Sequence, residues 1–61
     1  MIKIARNKNF SEWIDIFCLG KLVTNAKTER KALEIAKQIK REARARYFQR
    51  LHIVNELDEE S

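Results

Sequence analysis

The sequence predicts an α+β domain: a small antiparallel sheet of three or four strands with one long helix packed on one face, in the order ββαβ or βββαβ. Three observations carry this expectation. The run Trp13-Ile14-Asp15-Ile16-Phe17-Cys18 alternates as a strand does, with Ile14, Ile16 and Cys18 toward one side and Trp13 and Phe17 toward the other. The chain's one glycine, Gly20, follows at the distance a hairpin turn needs. Further on, Ala32, Ile35, Ala36, Ile39 and Ala43 recur at helical spacing and form a single stripe.

Taken in order, Met1 to Ala5 alternates apolar and basic residues, with Ile2 and Ile4 on one side, and reads as a short strand. Asn7-Lys8-Asn9 has turn chemistry, because asparagine tolerates left-handed backbone angles. The Trp13–Cys18 strand comes next. A type II′ turn centred on Gly20-Lys21 would pair Leu19 with Leu22, Cys18 with Val23 and Phe17 with Thr24. That register places Val23 on the aliphatic side and Leu22 beside Trp13 and Phe17; a slip of one residue would exchange the two.

The helix begins at Thr28, whose hydroxyl can cap the first free amides, with Glu29 favourable at the positive end of the dipole. The small alanines allow a close approach to the sheet, and Leu33 flanks the stripe. Continued on the same wheel, Arg46 and Arg50 fall in the middle of the apolar stripe. Burying either guanidinium without a partner is costly, so the helix leaves the core by about Tyr47 or Phe48. Beyond it, Leu51, Ile53 and Leu57 alternate with His52, Val54 and Glu56, which favours a final strand over a continued helix. Residues 1–57 thus read as one domain and 58–61 as an acidic C-terminal tail.

Sixty-one residues allow one small domain. A chain of this size buries only about 60% of the surface its unfolded form exposes, and external support is common. The lone cysteine, Cys18, excludes an internal disulfide, and with the lone histidine, His52, it cannot make a four-ligand zinc site. Oligomerisation remains as support, and a homodimer is expected. Lys3, Arg6 and Lys8 interrupt any signal-peptide core, and no run approaches the ~20 apolar residues of a membrane span. A cytoplasmic location is expected, because an unpaired cysteine suits a reducing compartment.

The formal charge of +4 is unevenly distributed. Residues 1–27 carry a net +3, residues 28–50 a net +5 and residues 51–61 a net −4. On the helix, Arg30, Lys37, Arg41 and Arg44 lie on one face opposite the apolar stripe and offer a row for nucleic-acid phosphates. A solvated helix face explains the same row more simply. Trp13 and Phe17 could stack nucleobases, but Asp15 between them repels a phosphate backbone. Burial at a protein interface together with Leu22 suits these residues better. Glu56-Leu57-Asp58-Glu59-Glu60 lacks calcium-loop spacing and reads as a solvated tail. No nucleophile, base and orienting group are brought together by the pattern, and one glycine makes no phosphate loop. The chain is expected to be no enzyme and to need no cofactor or metal.

The pattern Trp13-x-Ile-x-Phe, then Gly20, then Thr28-x-x-x-Ala32-x-x-x-Ala36 resembles small uncharacterised hairpin-plus-helix modules of bacteria and their phages, over residues 12 to 43. The resemblance implies an α+β fold and suggests a phage or prophage origin, where many small proteins bind and block a host protein. It carries no site residue across. The functional expectation is a non-enzymatic, homodimeric protein-binding protein with Trp13, Phe17 and Leu22 at its interface, of which a phage-type inhibitor of a host defence protein is one form. Nucleic-acid binding through Arg30, Lys37, Arg41 and Arg44 is the alternative, and a structural subunit of a larger assembly is a third.

Overall fold

A computed structural model describes residues 1–57. Three strands, β1 (Ile2–Arg6), β2 (Ile14–Cys18) and β3 (Lys21–Ala26), precede the helix α1 (Glu29–Tyr47), and a short β4 (Ile53–Asn55) follows it. The strands form one sheet in the order β3-β2-β1-β4, with α1 across one face. This is the expected α+β architecture in its βββαβ form. The sheet is mixed, however, where an all-antiparallel one was expected. β1, β2 and β3 make an antiparallel meander, and β4 lies parallel to β1. The physical reason is the helix: it carries the chain back along the sheet, so β4 enters running the same way as β3 and β1. Ile2 N–H donates to the His52 carbonyl at 2.8 Å and Glu56 N–H to the Ile4 carbonyl at 2.9 Å, fastening β4 at both ends.

The core sits between α1 and the aliphatic face of the sheet. Ile2, Ile4, Ile14 and Ile16 are fully buried, all on the two central strands. Ala26, Leu51 and Leu57 close its margins, and Ala32, Ala36 and Ala43 meet it from the helix. Leu33, Ile35, Ile39, Cys18 and Ile53 pack around it half-buried. The alternation that suggested each strand therefore marks the true inner face.

Local chemistry explains the boundaries. Thr28 has extended backbone angles, and its hydroxyl accepts from Lys31 N–H at 3.1 Å, so it is the N-cap. At the other end Phe48 adopts a left-handed conformation, φ 56°, and its N–H reaches back to the Ala43 carbonyl. The helix stops where the sequence required, before Arg50 could enter the core. Ala43 is its last buried residue; Arg44, Ala45, Arg46 and Tyr47 all remain exposed. Nineteen helical residues span about 28 Å, whereas a five-residue strand spans about 17 Å, so the C-terminal turns overhang the sheet.

Two local expectations are corrected. The hairpin turn is Leu19-Gly20, with φ of 53° and 83°, and Cys18 pairs with Lys21. Two positive φ values in a two-residue loop make a type I′ turn, whose twist matches the strands. Phe17 pairs with Leu22, but Ile16 pairs with Thr24, so Val23 is the extra residue of a bulge. The bulge leaves Leu22 on the outer face beside Phe17, as expected, and leaves Val23 exposed, where the aliphatic side was expected. It also restores Thr24 and Ala26 to the core face. In the first turn neither Asn7 nor Asn9 is left-handed; Asn7 works through its side chain instead.

Candidate binding surfaces

The helix covers one face of the sheet, and no element of the described chain covers the other. On this outer face the register builds a row across all four strands: Leu22, Phe17, Lys3 and Val54. Asn25, Asp15 and Ala5 form the next row. Trp13 precedes β2 and is half-buried, continuing the same face opposite Lys27.

Both aromatic side chains on this face lie beneath a lysine. Lys3 Nζ sits 4.8 Å from the Phe17 ring centroid, and Lys27 Nζ sits 5.0 Å from that of Trp13. Lys3 also approaches Glu56 Oε1 at 4.0 Å. Asp15 is engaged as well: Asn7 Nδ2 donates to both its carboxylate oxygens at 3.1 Å. The expected trio is therefore only partly brought together. Phe17 and Leu22 are direct cross-strand partners, while the Asp15 row separates Trp13 from them. Val54 and the two lysines were not foreseen, because their placement depends on the parallel β4 and on the bulge.

The four cations Arg30, Lys37, Arg41 and Arg44 are all exposed on α1, as their spacing predicts. Arg30 Nε lies 3.7 Å from Glu34 Oε1, an exposed i,i+4 pair worth little in stability. The row does not form one groove. Arg44 instead turns toward a cleft of about 240 Å³ lined by Lys40, Arg44, Gln49, Arg50, Leu51 and His52. This cleft lies where the overhanging helix meets the segment leading to β4. A sequence signal did exist for it: Arg50 and His52 flank the buried Leu51, so both must point outward, and Lys40 and Arg44 are four apart on a helix. What the sequence hid was that the two pairs converge.

Other candidates resolve plainly. Cys18 is half-buried against the aliphatic core. Glu56 is paired with Lys3 and Leu57 is buried, so these two belong to the folded edge rather than to a solvated tail. The rest of that acidic stretch, with the tail 58–61, lies outside the described residues. Among the described residues no three His, Cys, Asp or Glu side chains gather as a metal site, and no helix is long and apolar enough to cross a membrane. Comparison with protein families, with known proteins and with solved structures finds no match to this chain.

Proposed function

We propose that the protein is a non-enzymatic binding protein that engages another protein surface through the outer face of its sheet, a second copy of itself being the simplest partner. The observation that supports this reading is the row Leu22-Phe17-Lys3-Val54, apolar at three of four positions and not covered by α1. Large apolar side chains on a flat, strand-built face supply most of the energy of such contacts, and polar neighbours set their register. Lys3, Lys27, Asp15 and Glu56 lie among the apolar groups on or beside this face. Their mixed signs allow a partner of the same sequence to oppose unlike charges. The small core supplies the incentive, since a chain of this size gains stability by burying a further face.

Sedimentation at micromolar concentration tests it. The wild-type chain should sediment as a dimer. Leu22→Glu, on an edge strand and 56% exposed, should fold and sediment as a monomer. A wild-type monomer would exclude a second copy as the partner, and a Leu22→Glu variant of unchanged dimeric mass would exclude this face as the seat of association.

A further inference from the structure

We propose that the end of the helix is a binding site for single-stranded nucleic acid, in which the Lys40, Arg44 and Arg50 cleft takes a backbone phosphate and Phe48 stacks on a base. The site is distinct from the outer face of the sheet and does not depend on self-association.

The cleft gathers three cations with Gln49 and His52, donors of N–H groups, and no carboxylate lines it. Arg44 and Arg46 in the last turn complement the helix dipole, and that alone could account for them. It does not account for Arg50 and Lys40 joining Arg44 in the cleft from beyond and before that turn. The dipole's partial charge here is about −0.5 of an elementary charge, against three full positive charges in the cleft. The balance strongly favours an anion. Lys37 and Arg41, on the same helix face as Arg44, continue the positive surface along the helix, so a ligand with repeated negative charges gains more than a single ion does.

Phe48 narrows the ligand from any polyanion to one with flat apolar groups. It is 90% exposed, and it holds a left-handed conformation that an L-residue adopts at a cost of about 1 kcal/mol or more. A glycine would end the helix without that cost and without exposing a phenyl ring. Neither packing nor capping explains phenylalanine here. An exposed ring one residue before Gln49 and two before Arg50, both of which line the cleft, is the pairing of stacking platform and cation that single strands use. In a duplex the bases are already stacked on each other and closed to such a ring.

Fluorescence anisotropy with a labelled oligothymidylate of roughly a dozen nucleotides provides the test. The full chain should bind it at low salt, prefer it to a duplex of equal length, and lose affinity as salt rises. Arg44→Ala with Arg50→Ala should weaken binding at least tenfold and flatten the salt slope by about 0.7, one phosphate contact's worth on a single strand. Phe48→Gly should weaken binding at least about fivefold while leaving the melting temperature equal or higher. Leu22→Glu should bind as wild type does, which separates this site from the sheet face. Absence of binding at low salt, preference for the duplex, or affinity indifferent to Phe48→Gly would each overturn the proposal. Equal loss in Leu22→Glu would overturn its independence from the dimer.

Discussion

Asn7 does more than any other single side chain to hold the first turn. Its Oδ1 accepts from the N–H groups of Asn9 and Phe10 at 2.8 and 2.9 Å, while its Nδ2 donates to both oxygens of Asp15. One amide thus organises the loop and neutralises the polar demand of a half-buried carboxylate on the outer face. A carboxylate in its place keeps the acceptor but loses the donor, and it sets two like charges together. Asn7→Asp should therefore cost more than Asn7→Ala, which should itself cost about 1.5–3 kcal/mol for a bond to a charged group. The exchange Asn7→Asp with Asp15→Asn should recover part of the loss, because the amide then donates from the other strand. Urea denaturation of the four proteins measures this directly. An Asn7→Asp variant as stable as wild type would show that the amide donor contributes nothing.

At the level of elements, the hairpin carries a residue poorly suited to its turn. Leu19 occupies the first central position of the type I′ turn at φ 53°, a conformation in which asparagine before glycine is favoured. Leu19→Asn should raise the melting temperature by roughly 4–8 °C, the effect of about 1 kcal/mol on a domain of this size. A lower value would mean that the contacts of Leu19 in the hollow it shares with Cys18, Ile39 and Tyr47 outweigh the backbone term. This turn also marks where sequence reasoning reached its limit. Ile2 with Ile4 and Ile14 with Ile16 announced the strands, Thr28 and the alanine stripe announced the helix, and Arg46 and Arg50 announced its end. Each of those signals is local and periodic. The turn, the bulge at Val23 and the parallel β4 are decided instead by the fit of one strand against another, on which local pattern is silent. The cleft was hidden for the same reason, since Lys40 and His52 meet only after β4 has docked.

The whole molecule rests on a thin core. Among the described residues only four large side chains are fully buried, all of them isoleucines on β1 and β2. A core of this size rarely supplies more than about 3–5 kcal/mol, and one isoleucine-to-alanine change costs about 2–5 kcal/mol. Ile16→Ala should therefore abolish the cooperative thermal transition seen by circular dichroism, whereas Ile16→Val, costing about 0.5–1.5 kcal/mol, should lower the midpoint and keep it. A cooperative melt of Ile16→Ala near the wild-type midpoint would place the stability elsewhere. Should the sheet face pair two copies, the wild-type midpoint must also rise with protein concentration, because association stabilises by mass action.

The parallel seam between β1 and β4 also orders events in time. The β2–β3 hairpin is local and can close within about 1–10 μs. β1, by contrast, completes its ladder only with residues about fifty positions later, since Ile2 pairs with Ile53 and bonds to His52. During synthesis β1 leaves the ribosome before the other three strands of its sheet and is thus the last to be fully enclosed. Until residues 51–57 emerge, the Leu51 and Leu57 margins are missing and Ile2 and Ile4 lie beside an open edge. The nascent chain is for that interval a client for whatever binds exposed aliphatic strands.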